Sequence, residues 1–169
     1  AVTKAFDATA GDRFGHSVAF DESFLAVGNN PSDNTRYAVY ILTKSGFEFA
    51  HFYKISGNGK RGFGWKVLLS ESELIVGSPQ DDNNGASTNG GCVSVFAKTS
   101  TNHFVEYDTI RRPPYVAERR FGFAVARKGN RMAIGTNTCP NGAPCALKGL
   151  LHLFPNCFLD LILIHPPFL

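Results

Sequence analysis

One segment of this sequence is written three times, and that repetition limits the fold more than any other feature. The first copy reads Phe14-Gly15-His16-Ser17-Val18 and continues to Leu25-Ala26-Val27-Gly28. The second reads Phe63-Gly64-Trp65-Lys66-Val67 and continues to Leu74-Ile75-Val76-Gly77. The third reads Phe121-Gly122-Phe123-Ala124-Val125 and continues to Met132-Ala133-Ile134-Gly135. In each copy the closing glycine falls 14 positions after the phenylalanine, and the valine falls 4 after it. The copies start 49 and then 58 positions apart, from Phe14 to Phe63 and from Phe63 to Phe121. A rigid kernel with variable spacing puts the length changes in loops. Periods of this size indicate an array in which each unit is one supersecondary element.

The unit reads as β-structure. Val18 and Phe20 alternate with smaller residues, as do Leu25 and Val27, around a short polar turn, Asp21-Glu22-Ser23. Ser70-Glu71-Ser72 and Lys128-Gly129-Asn130 take the same place in the other copies. Two short β-rich runs around a tight turn make a β-hairpin. A third strand is expected over Tyr37–Leu42, Gly91–Phe96 and Gly149–Phe154, and a fourth over Phe47–Phe52 and Phe104–Tyr107. No helical period of useful length occurs, so the fold class is all-β. Four strands in about 50 residues is the arithmetic of a β-propeller blade built from a four-stranded antiparallel sheet.

Kernel residues are expected to build this scaffold and to carry no chemistry. Gly15, Gly64 and Gly122 stand where a strand begins beside an aromatic, and Gly28, Gly77 and Gly135 close a strand. Positive φ or close backbone approach is the expected need at such places. Phe14, Phe63 and Phe121 are expected to fill the wedge between neighbouring sheets, with the valines facing the sheet-to-sheet core.

Phe-Gly-x-x-Val, a turn, Leu-x-Val-Gly-x-Pro-x-Asp and then Gly-x-Val-x-Val-Phe resembles the FG-GAP repeat of integrin α-subunit propellers and related extracellular proteins. The second copy is nearest the pattern, with Leu74-Ile75-Val76-Gly77-Ser78-Pro79-Gln80-Asp81 and Gly91-Cys92-Val93-Ser94-Val95-Phe96. The first has Gly28-Asn29-Asn30-Pro31, and the third lacks the proline. The resemblance covers about residues 11–154 and implies a secreted or surface-exposed propeller that binds other macromolecules. Such repeats often carry a calcium loop of Asp-x-Asp-x-Asp-Gly type between the first two strands. Here that connection is a short turn, too small for the six to eight oxygen ligands calcium takes. No cofactor is therefore expected. The loop holding Asp81, Asp82 and Asn84 is oxygen-rich but wrongly spaced for such a cage, and reads as a solvated loop before it reads as a cation site.

The organisation follows from the copies. Residues 1–10 read as the outer strand of a preceding blade, 11–59 as blade 1, 60–117 as blade 2 and 118–155 as a partial blade 3. Residues 156–169 are an atypical apolar tail, too short for the roughly 20 residues of a membrane span. Propellers close with four to eight blades. Three blades and no Met at position 1 lead to the expectation of a fragment or processed chain, or of several copies that complete a ring.

Cys139 and Cys145 bracket a loop rich in proline and glycine and read as a disulfide pair in an oxidising compartment, with free thiols as the alternative. Charge is uneven. Residues 1–110 hold 9 basic and 12 acidic side chains, and residues 111–169 hold 8 and 2. Arg111, Arg112, Arg119, Arg120, Arg127, Lys128 and Arg131 form a basic cluster, the first four placed in the link between blades. They read either as a patch for an anionic polymer, such as a sulfated polysaccharide, or as charges that keep an exposed edge soluble. A nucleic-acid partner is not expected.

The five histidines show no metal-ligand spacing, and there is no nucleophile elbow or phosphate loop. His16, Trp65 and Phe123 share a column that varies between copies. Such a column suits a binding rim or a side chain at a blade edge. No aligned column repeats an acid or base, so an extracellular binding or adhesion module, taking a protein or polysaccharide through its loops, is favoured over an enzyme. A propeller scaffold of a secreted hydrolase and a purely structural repeat are the alternatives.

Overall fold

The structure is a computed structural model that describes residues 4–46, 48–82, 89–111, 120–129 and 131–137. Within them lie ten strands and no helix. Strands β1 (Ser17–Phe20), β2 (Phe24–Gly28), β3 (Ala38–Ser45) and β4 (Glu48–Ser56) form one antiparallel sheet in sequence order. Strands β5 (Lys66–Leu69), β6 (Glu73–Ser78), β7 (Cys92–Lys98) and β8 (Phe104–Arg111) form a second of the same order. Strands β9 (Ala124–Lys128) and β10 (Arg131–Gly135) form the hairpin of a third. The expected third strand at 149–154 and the apolar tail lie outside the described residues.

Local chemistry closes the hairpins. Asp21 Oδ1 accepts from the Ser23 and Phe24 amides (2.8 and 2.7 Å), which turns β1 into β2. Ser70 Oγ accepts from the Glu73 amide (3.2 Å) at the same place in the second sheet. Short polar side chains that bond the backbone two or three residues on are the usual makers of such turns. The repeat extends to a feature the sequence does not display. The β3–β4 register slips between Ile41 and Leu42, and the β7–β8 register slips between Val95 and Phe96. Counted from the strand partner of the closing glycine, Val39 for Gly28 and Val93 for Gly77, both slips follow the second residue on, so each of the two four-stranded sheets carries one β-bulge at the same place.

The sheets stack face to face. Phe24, Ala26, Val39 and Ile41 of the first sheet pack with Phe63, Val67, Leu74, Val76 and Phe96 in one buried cluster. The other face of the second sheet packs Ile75, Val93, Val95 and Ile110 against Val125, Phe121, Met132 and Ile134. The remaining face of the first sheet, with Val27, Tyr40 and Leu42, is covered by Ala5 and Phe14. Residues 4–10 form turns there and no strand. The Tyr40 hydroxyl and Lys54 Nζ both donate to the Asp7 carboxylate and tie this segment down.

Each Phe-Gly pair makes a type II turn. His16, Trp65 and Phe123 donate their amides to the carbonyls of Arg13, Gly62 and Arg120 (3.2, 2.9 and 3.1 Å). Gly15, Gly64 and Gly122 hold φ of 90°, 91° and 88°. A turn with positive φ at its third residue takes glycine there. The closing glycines serve a different need. Their φ values are not positive, but a Cβ on Gly28 would stand 2.1 Å from Gly64 O, and one on Gly77 would stand 2.2 Å from Gly122 O. Gly28 and Gly77 thus admit the turn of the next repeat.

Two expectations are corrected. Arg111 is not in the inter-blade link: it is the last residue of β8, paired with Cys92, because the fourth strand runs to residue 111. Nor do all three kernel valines face a core. Val67 and Val125 are 1% and 5% exposed, whereas Val18 is 57% exposed, since no sheet among the described residues covers β1 on that side.

Candidate functional site

Strand β1 lies beside β5, and β5 beside β9, so the first strands of the three sheets run together along one edge. The residue before each of them ends a Phe-Gly turn. In consequence His16, Trp65 and Phe123 form a row, one ring from each repeat. The His16 and Trp65 centroids are 4.7 Å apart with edge-to-face geometry, and those of Trp65 and Phe123 are 5.2 Å apart. His16 is exposed, and Trp65 and Phe123 are half-buried. Desolvation, with the Arg13 charge adding to it, lowers the His16 pKa below its ordinary 6.5. The imidazole is thereby biased toward its neutral form near pH 7, and the row presents aromatic surface more than charge. Arg13, Lys66 and Arg120 adjoin it in the chain. No carboxylate belongs to the row, so it has flat apolar faces to offer a ligand and no acid–base pair.

Several of the other titratable groups pair with one another. Arg36 Nη2 meets Asp12 (3.2 Å) and Asp33 (3.1 Å). Lys60 Nζ reaches Glu106, Ser94 Oγ (2.8 Å) and Thr109 Oγ1 (3.2 Å). Burial pushes the Glu106 pKa up, but the hydrogen bonds from Lys60, Thr109 and Ser94 outweigh this and leave it lowered. Cys92 is fully buried, and desolvation together with nearby Asp81 pushes its thiol up to about 12, which keeps it protonated and unreactive.

The candidate residues read from the sequence are dispersed. Asp81 is buried, and its backbone carbonyl accepts from the Gly91 amide (2.9 Å). Asp82 accepts from the Asn89 amide (2.8 Å) and meets Arg61 (3.6 Å). Asn84, Arg112, Arg119, Cys139 and Cys145 lie outside the described residues. No group of three His, Cys, Asp or Glu side chains suited to a metal converges among the described residues.

The basic cluster divides. Arg111 pairs with Cys92, and the Arg120 amide donates to Asn89 O (2.8 Å), both at the Gly122 end of the sheets. Lys128 and Arg131 face each other across the β9–β10 turn, at the opposite end. Arg127, beside them, is ion-paired with Glu73 of the second sheet. The contact between the rings of the aromatic column was not legible in the sequence. Its signal was a constant offset of two from the kernel phenylalanine.

No described helix is long and apolar enough to cross a membrane. No curated protein and no solved structure matches the chain. A family model for the FG-GAP repeat matches residues 3–42, which span the first Phe-Gly turn, its hairpin and most of β3. Residues 3–42 are therefore an FG-GAP repeat, and the two sheets that follow carry the same kernel in the same structural place.

Proposed function

We propose that these blades are a binding module, at the cell surface or outside the cell, that holds a protein or polysaccharide through its loops and turns over no substrate. The row of His16, Trp65 and Phe123 carries the reading. Three repeats bring one ring each to a common edge, at a column that differs from copy to copy. Structural columns such as Phe63 and Gly64 are constant, whereas a recognition surface is built where repeats differ. Stacking on flat aromatic faces suits sugar rings and protein side chains alike, and the adjoining cations suit an anionic ligand. The ion pairing of Arg36, Lys54, Lys60, Arg61 and Arg127, with no acid or base repeated between blades, favours binding over catalysis. Neither calcium nor another cofactor belongs to this reading, since the turn from β1 to β2 is three residues long.

A glycan and protein array screened with the full chain tests it. A ligand whose affinity falls about tenfold in Trp65→Ala, the order expected for one lost aromatic contact, supports the reading. Absence of any ligand together with measurable hydrolase activity contradicts it.

A further inference from the structure

We infer that a second copy of this chain docks head to tail, with Val18 and Phe20 of β1 in one copy seated on Ala126 and Ala133 of β9–β10 in the other. The same contact occurs twice inside the chain. Four and six positions after the kernel phenylalanine stand Val18 and Phe20, Val67 and Leu69, and Val125 and Arg127. Val67 and Leu69 pack with the first sheet, and Val125 packs with the second. These columns are therefore where one blade leans on the blade before it. In the first copy they are bare: Val18 is 57% and Phe20 74% exposed. Ala5 and Phe14 pack over Val27, Tyr40 and Leu42 on the same face, and no described residue joins them in packing over Val18 and Phe20 of β1. Phe6, also largely exposed, lies against Tyr40 and extends the apolar patch.

The opposite face supplies the complement. Five and twelve positions after the phenylalanine stand Ala19 and Ala26, Leu68 and Ile75, and Ala126 and Ala133. Ala19 and Ala26 belong to the cluster that receives Val67 and Leu69. The third hairpin repeats those alanines at the same columns, and Ala126 is exposed. The head thus carries the large side chains, and the tail carries the small ones that already accommodate such side chains elsewhere in the chain. The glycines agree. Gly64 and Gly122 face the carbonyls of Ala38 and Cys92 in the preceding blade, whereas a Cβ on Gly15 would meet nothing among the described residues within 4 Å. Gly28 and Gly77 admit the next turn, whereas Gly135 has only its strand partner Ala124 beside it among the described residues.

Charge favours the same pairing. The first sheet and the segment before it, residues 4–56, hold 5 basic and 6 acidic side chains, and the third hairpin, residues 120–137, holds 4 basic and none acidic, so head and tail do not repel while two tails do. A head-to-tail contact is heterologous and closes into a ring where the rotation permits. Two copies bring six kernels, within the four to eight blades that propellers use.

Sedimentation of the full chain at tens of micromolar tests this. The expected result is a mass about twice 18.4 kDa, with dissociation promoted by high salt. Phe20→Asp and Ala126→Arg are each expected to give an 18.4 kDa species with unchanged circular dichroism. An equimolar mixture of the two is expected to recover the assembly, because one junction is then unaltered and the other places the new aspartate near the new arginine. Val18→Glu and Ala133→Lys serve in the same way if either of the first pair fails to fold. An open stack of higher mass that these variants dissolve also supports the contact. A wild-type chain that stays monomeric over this range, as it would if another blade of a longer protein fills the site, overturns the proposal. So does an assembly that the variants leave intact.

Discussion

Gly64 performs two tasks that the same residue in the first repeat performs only once. Both Gly64 and Gly15 hold φ near 90°. A Cβ at Gly64 would in addition stand 2.8 Å from Ala38 O and press on the backbone of the neighbouring sheet. Gly15→Ala is therefore expected to cost about 1–2 kcal/mol of stability for the left-handed backbone alone. Gly64→Ala is expected to cost about 1–3 kcal/mol more through overpacking. Urea denaturation of the two variants reads the difference, and equal costs would deny the close approach of the blades. The purpose of these glycines was legible in part. Their spacing announced a constrained backbone, but not that the first glycine of the kernel needs positive φ while the last needs an empty Cβ position, since that depends on the neighbouring repeat. Two titrations belong to this scale as well. Lys54 holds the Asp7 pKa below its ordinary 3.8, and this outweighs the opposing effect of burial. A lowered carboxylate contributes stability above its unfolded value and loses it as pH falls through the folded one. The melting temperature of Asp7→Asn is thus expected to lie below wild type at neutral pH, with the gap closing below about pH 3.8. His16, whose folded pKa is lowered, contributes stability that is fully present above 6.5 and lost as pH falls from there toward the folded value. Nuclear magnetic resonance titration is expected to place its midpoint below 6.5 and to move it upward in Arg13→Ala.

At the scale of the element, the hairpin was the most legible part because its determinants are local. Alternation over four residues on either side of Asp21-Glu22-Ser23 defines β1 and β2, and the Asp21 carboxylate closes the turn between them. The later strands were placed well at their starts and poorly at their ends. The expectation of a strand stopping at Tyr107 fell short because β8 passes its bulge and runs on to Arg111. Beyond the bulge its residues pair with Cys92–Val95, a pairing that depends on β7 and not on the local pattern. The aromatic wedge belongs to this scale. Phe63 is fully buried between two sheets, whereas Phe14 lies half-buried under the segment that follows residue 4. Phe63→Ala is expected to destabilise by about 3–5 kcal/mol, and Phe14→Ala by clearly less, as read from urea midpoints at constant slope. Equal losses would mean that the wedges of the two copies are equally packed.

For the whole molecule, repetition determines both what could be read and what could not. A kernel that recurs with fixed internal spacing fixes sheet class, strand order and loop positions, since every copy must satisfy the same packing on both faces. It does not reveal which face is left bare. Val18 reads the same as Val67 and Val125 in sequence, yet it differs from them because no other sheet among the described residues packs on its face of β1. The candidate site was legible only as a variable column. That His16, Trp65 and Phe123 touch follows from the first strands of the three sheets running side by side, which is a property of the stack. The central claim is that successive FG-GAP-type kernels pack glycine to glycine, each closing glycine against the next Phe-Gly turn. Nuclear Overhauser contacts between α-protons in solution test it most directly. Strong cross-peaks linking Gly28 to Gly64 and Gly77 to Gly122 are expected. Absence of both, in a chain that retains the contacts within each hairpin, would mean that the repeats fold without stacking and would contradict the account.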